Sequence, residues 1–250
     1  MCEKNAIKIP SNYLHNEVTV GVIVPDRVEK LLLLLHGYGG SFRHLDENLP
    51  LTEYAMSNNM LIVTPNMNNG YYLDKPDYNV SQFLLSELVP LVLGVYGKEE
   101  KLPMYLAGIS MGGYGSLLIG MRYPKRFRKV ISISGAFIAH DVAIGNPQVV
   151  GGPGDTMALK YFTETFVPFD TLENDVIRNP VAAIADCKNN ELPELILTCG
   201  TEDELYSRNL AVLETLDKKG ASYDWYPIKG GAHDYKAFDV GLRYAFETMK

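Results

Sequence analysis

The sequence predicts an α/β fold, in which a mostly parallel central sheet is covered by helices on both faces. Short apolar segments such as "KLLLLLHG" (30–37) and "ELILTCG" (194–200) alternate along the chain with longer helical segments. Continuous apolar runs are typical of strands buried on both faces, and their alternation with helices is typical of βα units. The 250 residues contain no internal repeat, low-complexity tract or linker, which favours a single domain over residues 1–250.

The predicted strands are the short apolar segments. Residues 19–24 alternate, whereas the later strands are mostly continuous in apolar character and several of them end in glycine. A strand that is covered on both faces needs no polar side, so these patterns favour strands in the interior of a sheet. In chain order, the predicted strands are 19–24, 30–37, 60–66, 104–109, 129–135, 194–200 and 222–230.

The predicted helices lie between these strands and have recognisable ends. The helix after the strand 104–109 is ended by Pro124, and the segment 206–220 closes with a glycine. Proline cannot continue a helix, and glycine is the usual residue just beyond a helix end. The predicted helices lie within 42–55, 81–95, 111–123, 206–219 and 235–249.

Residues 137–190 break the regular alternation of strands and helices. This segment contains several Gly and Pro residues and no clear buried strand, and it is too long for a simple connection. We therefore expect an irregular, cap-like insertion inside the single domain. An apolar lid helix of the lipase kind is not expected, because "GNPQVVGGPGD" (145–155) is too rich in Gly and Pro and "YFTETFVPF" (161–169) is too short.

Charge and cysteine content narrow the classes of partner and cofactor. The net charge is −7 and no cluster of Lys or Arg stands out, which argues against nucleic acid as a partner. The three cysteines, Cys2, Cys187 and Cys199, are too few and too widely spaced for a disulfide framework, and no CxxC pair indicates a metal. Cys199 ends an apolar strand, so a buried thiol is expected there.

No segment predicts a membrane partner. The most apolar helix candidate, "FLLSELVPLVLGVYG" (83–97), is interrupted by Ser86, Glu87 and Pro90, so it is expected to cover the sheet as an amphipathic helix. The N-terminus lacks a charged-then-apolar signal segment. The default location is therefore cytoplasmic, and an exported form whose leader was removed before Met1 stays open.

A serine in "AGISMGG" (107–113) is the leading candidate for a nucleophile. Ser110 follows a buried strand and precedes a helix, with Gly108 and Gly112 on its two sides. This is the G-x-S-x-G pattern in the strand–turn–helix context that places a serine hydroxyl at the exposed end of a sheet. The alternative is a serine that only caps the helix. A serine becomes nucleophilic when a base, usually histidine, accepts its proton.

The base and its carboxylate are sought beyond later strands of the sheet. His233 lies in "GGAHDY" (230–235) after the last predicted strand, and Asp203 lies in "GTEDELY" (200–206) after the strand before it. The chain order serine, acid, histidine is that of α/β-hydrolases. Competitors for the acid are Glu202, Glu204 and Asp234; competing histidines are His15, His36, His44 and His140, of which His36 is expected to order its loop.

Two backbone N–H groups are candidates for stabilising an oxyanion. One is the N–H of Met111, directly after the serine, and the other is the N–H of Tyr38 in "HGYGGS" (36–41). Hydrolases of this order take one donor from the residue after the nucleophile and one from a loop after an earlier strand. The alternative for residues 36–41 is a simple tight turn.

Several motifs together resemble the esterase D-type family of α/β-hydrolases, which includes tributyrin-type esterases, feruloyl and acetyl-xylan esterases and S-formylglutathione hydrolases. They are "LLLLLHGYGGS", "YLAGISMGGYGSLLIGMRYPKRF", "ISISGAF", "CGTEDELY" and "GGAHDY". The resemblance implies an α/β-hydrolase fold and the catalytic set Ser110, Asp203 and His233, with oxyanion donors at Tyr38 and Met111. S-formylglutathione hydrolases typically carry a cysteine where this chain has Gly40-Ser41, which favours the general esterases.

The sequence therefore predicts a cofactor-independent serine carboxylesterase without a metal. We expect it to act on a small-molecule ester with a short acyl chain, acetyl to butyryl, on a carbohydrate or aromatic alcohol. Tyrosines in the site loops, chiefly Tyr72 and Tyr206, are expected to contact the substrate. A thioesterase, an acyltransferase and a non-catalytic binding protein remain as alternatives, and a homo-oligomer stays open.

Overall fold

The central feature of the structure, a computed structural model that describes residues 2–96, 102–143 and 156–249, is a sheet of eight strands. The strand order is β1-β2-β4-β3-β5-β6-β7-β8; the pairs β1–β2 and β2–β4 are antiparallel, and the pairs from β4 through β3 to β8 are parallel. The strands are β1 Cys2–Ser11, β2 Asn16–Pro25, β3 Lys30–Leu35, β4 Met60–Pro65, β5 Met104–Ile109, β6 Lys129–Ile133, β7 Glu194–Gly200 and β8 Asp224–Ile228.

Helices cover both faces of this sheet, as predicted. They are α1 Phe42–Asn48, α2 Leu51–Asn58, α3 Val80–Gln82, α4 Val89–Val95, α5 Met111–Arg122, α6 Ala139–Ala143, α7 Thr156–Phe166, α8 Pro180–Asp186, α9 Tyr206–Lys219 and α10 Tyr235–Glu247. One apolar core lies between the sheet and the helices α1, α2 and α10; the core on the opposite face receives side chains from α3 to α9. The fold is that of an α/β-hydrolase.

The central strand β3 shows why the sequence forms such a sheet. Leu31, Leu33 and Leu35 enter one core, while Leu32 and Leu34 enter the other. All five leucines are 0% exposed. Successive side chains of a strand point to opposite faces, so a strand between two helix layers must be apolar at every position.

The strand β1 is the main element that the sequence patterns did not predict. It pairs along its whole length with β2, from Cys2 opposite Pro25 to Ser11 opposite Asn16. Most of its side chains are exposed or half-buried, and it forms the edge of the sheet. An edge strand buries too little apolar surface to give a hydrophobic pattern, and its charged residues are typical of edges.

Two predicted helices are divided in the structure. The helical stretch expected over 42–55 forms two helices that separate at Pro50, because proline favours a helix start. The helix expected over 81–95 is continuous in path, but Phe83–Leu88 form a π-helical stretch between α3 and α4. In the residues that the structure describes, no helix is long and apolar enough to cross a membrane.

The segment 137–190 contains no strand among its described residues, but it is more helical than predicted. The helix α7 runs over eleven residues, so "YFTETFVPF" begins inside a longer helix. The helix α8 follows, with Asn179 capping its first turn by accepting a hydrogen bond from the Val181 N–H. The stretch "GNPQVVGGPGD" (145–155) lies outside the described residues. The cap role of the segment stays a prediction.

Candidate active site

Ser110 lies in a sharp turn between β5 and α5. Its backbone has φ 57° and ψ −116°, a positive-φ conformation that a non-glycine residue seldom adopts. Three hydrogen bonds hold this turn: the Ser110 N–H donates to the Ile133 carbonyl at 2.9 Å, and its own carbonyl accepts from Tyr114 and Ala136 at 3.1 and 2.9 Å. The turn is therefore anchored to the neighbouring strand β6 and to the following helix.

The flanking glycines are required by close backbone approach. A Cβ on Gly108 would lie 1.9 Å from the carbonyl oxygen of Gly112, and a Cβ on Gly112 would lie 2.2 Å from the carbonyl oxygen of Leu35. Only glycine avoids these overlaps, so the helix α5 can start immediately above the ends of β3 and β5. This close approach explains the G-x-S-x-G pattern physically.

The side chains of Ser110, His233 and Asp203 form one hydrogen-bonded chain. The Ser110 Oγ lies 3.0 Å from His233 Nε2, and His233 Nδ1 lies 2.8 Å from Asp203 Oδ2. An ionised carboxylate can only accept, so Nδ1–H donates to Asp203 and Nε2 is left to accept the serine hydroxyl. This arrangement supplies a hydroxyl, a base for its proton and a carboxylate that fixes the tautomer of the base.

The environment of Asp203 selects it from the four candidate acids. Its side chain is 0% exposed, whereas Glu202 and Glu204 are exposed and Asp234 caps α10 by accepting from the Ala237 N–H. Burial by itself would raise the pKa of Asp203, but the hydrogen bonds from His233 and from the Leu205 N–H outweigh it and bring the pKa below its ordinary value. Asp203 is therefore ionised at neutral pH.

Two neighbouring features orient His233. Its ring packs edge-on against Phe238 of α10, with ring centroids 5.0 Å apart. The next residue, Asp234, is the N-cap of that helix, so the start of α10 fixes the backbone beside the histidine. The imidazole side chain is 22% exposed and can therefore meet a substrate while it holds Asp203.

The loops that carry the acid and the histidine are joined by their backbones. The Glu202 N–H donates to the Gly231 carbonyl at 2.9 Å, and the Thr201 N–H donates to the Ile228 carbonyl at 3.0 Å. A Cβ on Gly200 would lie 2.1 Å from the Gly231 oxygen, so the two loops touch at backbone distance. Their contact fixes the separation of Asp203 and His233.

The segment 36–41, here called the glycine loop, passes directly beside Ser110. A Cβ on Gly37 would lie 3.3 Å from the Ser110 Cβ. No residue that the structure describes accepts a hydrogen bond from the N–H of Tyr38. The N–H of Met111 belongs to the first residue of α5, where a helix leaves its N–H groups without helical acceptors. Among the described residues, neither N–H group has an acceptor, so each could donate to an oxyanion.

His36 orders the glycine loop, as expected from the sequence. Its Nε2 accepts from the Met67 N–H at 2.9 Å, which leaves Nδ1–H to donate to the Gly37 carbonyl at 2.7 Å. The side chain is buried, and this burial lowers the pKa of His36 below its ordinary value. A neutral imidazole is required, because a proton on Nε2 would face the Met67 N–H.

Residues 66–72, here called the support loop, hold the glycine loop, and the sequence patterns did not identify this function. The Asn69 side chain accepts from the Gly39 N–H at 2.7 Å, and Asn66 accepts from the Phe42 N–H at 2.7 Å. The Asn-rich segment "PNMNNGYY" could have indicated this function of the support loop, because asparagine side chains readily form hydrogen bonds with nearby backbone groups.

The prediction that Tyr72 contacts the substrate is wrong. Tyr72 is 1% exposed, its hydroxyl donates to the His36 carbonyl at 3.0 Å, and its ring lies against Gly115. Its φ of 59° turns the side chain inward from the support loop. Tyr72 therefore stabilises the loops from below and has no surface to offer a ligand.

The other tyrosines of the predicted site also differ in their surroundings. Tyr71 and Tyr114 are 3% and 0% exposed, whereas Tyr38 is 47% exposed. The ring of Tyr206 lies 6.0 Å from that of Trp225 in β8, and its N–H donates to the Asp203 carbonyl. These contacts account for the position of Tyr206, and its contact with substrate stays a prediction.

The three cysteines are free, and burial raises the pKa of Cys199 to about 12, so its thiol is protonated.

Among the described residues, one group of three side chains could ligate a metal, namely Asp203, Glu204 and His233. Two members of this group, His233 and Asp203, are joined by the hydrogen bond described above.

Comparisons with known proteins show that the chain is similar to esterases. A family model described as "Putative esterase" matches residues 11–246. An acetyl esterase of Caldicellulosiruptor saccharolyticus is 29% identical over 231 residues, covering 88% of this chain and 83% of the relative. The structure of S-formylglutathione hydrolase from Staphylococcus aureus matches with a TM-score of 0.84 and 19% identity, covering 100% of this chain and 99% of that one. A ferulic acid esterase structure matches with a TM-score of 0.78 and 19% identity, covering 99% and 97%.

Proposed function

Because the chain belongs to the esterase D-type family of α/β-hydrolases, we propose that it is a serine carboxylesterase that hydrolyses short-chain acyl esters through an acyl-enzyme. The observation that carries this proposal is the chain of hydrogen bonds from Ser110 through His233 to Asp203. It lies at the carboxyl ends of parallel strands, where α/β proteins bind their ligands.

In the first half-reaction, the Ser110 Oγ bonds to the ester carbonyl carbon while its proton moves to His233 Nε2. The C=O π electrons pass to the oxygen, and this oxyanion accepts hydrogen bonds from the N–H groups of Tyr38 and Met111. Asp203 stabilises the imidazolium that forms. His233 then gives its proton to the departing alcohol oxygen, and Ser110 is left acylated.

In the second half-reaction, water replaces the alcohol. His233 takes a proton from the water, whose oxygen bonds to the acyl carbon and again drives negative charge onto the oxygen held by Tyr38 and Met111. Collapse of this intermediate breaks the bond to the Ser110 Oγ, which recovers its proton from His233. The carboxylic acid leaves, and none of these steps calls for a cofactor.

A cavity against the helix of the nucleophile supports a small substrate. It has a volume of about 360 Å³, and its wall combines the rings of Tyr114 and Phe137 and other apolar groups with polar side chains of the segment 137–190, namely His140, Glu173, Asn174 and Asn179. Tyr114 follows Ser110 by one helical turn in α5, which connects the cavity wall to the helix of the nucleophile. A space of this size, with both rings and polar side chains in its wall, suits a carbohydrate or aromatic alcohol of an acetyl to butyryl ester better than a long alkyl chain.

The proposal is tested with Ser110→Ala and a substrate panel. Removal of a hydroxyl should leave the fold intact and lower kcat for a nitrophenyl acetate by about 10⁴-fold or more. Turnover near that of the unaltered enzyme would overturn the proposal. The panel includes S-formylglutathione beside acetyl, butyryl and feruloyl esters; a kcat/KM far higher for the thioester than for every ester would assign a thioesterase instead.

A further inference from the structure

The ring of Tyr38 ties the glycine loop to the helix α7. Its centroid lies 5.3 Å from that of Phe162 and 5.9 Å from that of Tyr161, and both partners belong to α7. Tyr38 is nevertheless 47% exposed, so its ring rests on the surface of the helix and is not enclosed in a core. These two ring contacts hold the side chain.

The peptide group between Gly37 and Tyr38 is held by hydrogen bonds at its carbonyl end, where the Gly37 oxygen accepts from His36 Nδ1–H at 2.7 Å. The Gly39 N–H is held by Asn69, and the Gly40 N–H donates to the Gly37 carbonyl at 3.0 Å. Three of the four residues 37–40 are glycines, whose backbones are free to rotate. The planar peptide group that carries the Tyr38 N–H is thus held at its carbonyl end by His36 and Gly40 and at its Tyr38 end by the ring contacts with α7, so a displaced ring can move this N–H.

Phe162 connects this ring to the helix of the nucleophile. It is 7% exposed, and its centroid lies 5.6 Å from that of Tyr71. The ring of Tyr71 in turn lies edge-on to Tyr114 at 5.4 Å, one turn after Ser110. A continuous series of packed rings therefore runs from the glycine loop to α5, with Phe162 as the member that touches Tyr38.

From these contacts we infer that Phe162 is a positioning residue, which holds the Tyr38 N–H in the direction of the oxyanion. The inference rests on the proposed function, in which this N–H stabilises the negative oxygen formed when Ser110 attacks the ester. A shift of about 1 Å in such a group can lower the rate by about 10²-fold. Because the charge develops only during reaction, loss of Phe162 lowers kcat and leaves KM nearly unchanged.

The first test compares Phe162→Ala with Tyr38→Ala. The second variant removes an exposed ring, keeps the backbone N–H and should fold normally. Each variant should lower kcat for a nitrophenyl acetate by about 10- to 100-fold, with KM within about threefold. The double variant should lose no more than the worse single variant, because both remove one contact. Fully additive losses would overturn the inference.

Phe166→Ala is the matched control in the same helix. Phe166 is 0% exposed and packs against Tyr71 and Tyr114, but no contact joins its ring to Tyr38 among the described residues. It should lower the melting temperature and keep kcat within about threefold. If the alanine variants do not fold, Phe162→Leu and Phe166→Leu replace them, with the same difference expected in kcat. An equal loss of kcat in both would overturn the inference.

A trifluoromethyl ketone separates this inference from the proposed function. Addition of the Ser110 Oγ to the ketone carbon sends the serine proton to His233 and leaves an oxyanion in the place of the reaction intermediate. The inhibition constant should rise in Phe162→Ala by the same factor by which kcat/KM falls. If the unaltered protein does not bind the ketone and Ser110→Ala remains active, the proposed function fails. If the unaltered protein binds it and Phe162→Ala binds it equally well, the inference alone fails.

Discussion

At the scale of single residues, the site depends on a carboxylate that is buried and yet ionised. Asp203 accepts hydrogen bonds from His233 and from the Leu205 N–H, and together these keep its pKa low in spite of burial. The resulting charge fixes His233 with Nδ1 protonated and Nε2 free to accept from Ser110. The geometry around Asp203 thus controls which nitrogen can act as the base.

Replacement of this carboxylate by an amide tests its function. Asp203→Asn keeps the shape of the side chain but can hold the wrong His233 tautomer, so kcat should fall by about 10³- to 10⁴-fold. The controls Glu202→Gln and Glu204→Gln remove exposed charges and should lose less than about tenfold. Steady-state kinetics of the three variants would refute this assignment if either glutamate variant is the inactive one.

The buried imidazole of His36 predicts a pH dependence of stability. Its pKa in the folded chain lies below the value of 6.5 expected in the unfolded chain, so the unfolded chain binds more protons between the two values. The stability from neutral His36 is therefore present above pH 6.5 and is lost as the pH falls toward the folded value. Asp203 stays ionised in this range and does not contribute to the change.

Urea unfolding of the unaltered protein and of His36→Gln measures this effect at about pH 7.5 and about pH 5.5. The free energy of unfolding should fall toward the lower pH in both, and by more in the unaltered protein. The falls in the free energy of unfolding of the two proteins should differ by at most about 1.4 kcal/mol for each pH unit, because His36 binds one proton. An equal fall in both proteins would show that His36 does not titrate in this way.

Residue identities at the site were largely accessible from the sequence, whereas side-chain directions were not. The motif around Ser110 and the loops after β7 and β8 contained the three residues that the structure joins. Tyr72 was assigned to the substrate because of its loop, but its left-handed backbone turns the ring into the core. A sequence pattern reports which loop carries a residue and not the face toward which its side chain points.

At the scale of elements, the approach of β5 to α5 is the geometric condition for the site. The carbonyl of Gly112 lies where a Cβ of Gly108 would be, so any larger residue must push strand and helix apart. The sequence indicated this turn through its glycines. The sequence did not indicate β1, because this strand is ordered by its pairing with β2. It also did not indicate the contact of α7 with Tyr38, because this contact joins residues far apart in the chain.

Gly108→Ala should therefore destabilise the fold, and Gly94→Ala provides a matched control. The added methyl at Gly108 overlaps backbone atoms and should lower the free energy of unfolding by about 3 kcal/mol or more. Gly94 lies in α4, and no atom of the described residues outside its own helix lies within 4 Å of a new Cβ, so alanine there should raise that free energy by up to about 1 kcal/mol. Urea denaturation would contradict the account if both variants unfolded alike.

At the scale of the whole molecule, the sheet brings residues from distant parts of the chain together at the carboxyl ends of its parallel strands. The glycine loop follows β3, Ser110 follows β5, and the acid and histidine loops follow β7 and β8. The segment 137–190 enters beside β6 and contributes α7, whose rings pack over the glycine loop. The family membership that the sequence motifs indicated is confirmed by the match over residues 11–246.

This arrangement predicts a limit on the acyl chain. Each added methylene contributes about 0.8 kcal/mol to binding only where a dry surface receives it. We expect kcat/KM to rise little beyond butyryl and then to fall through octanoyl and decanoyl esters, with no activation at an oil–water interface. A series of nitrophenyl esters measures this directly. A rate that still climbs at decanoyl would show a long acyl groove.

The central claim is that Ser110 is the residue that becomes covalently modified during hydrolysis. Reaction with a fluorophosphonate, followed by mass spectrometry of the peptides, tests it most directly, because fluoride leaves and the phosphonyl group stays on the activated oxygen. The account predicts one phosphonyl group on the peptide that contains Ser110, loss of esterase activity in step with labelling, and no label on Ser110→Ala. A label on a different residue, or full activity after complete labelling of Ser110, would contradict it.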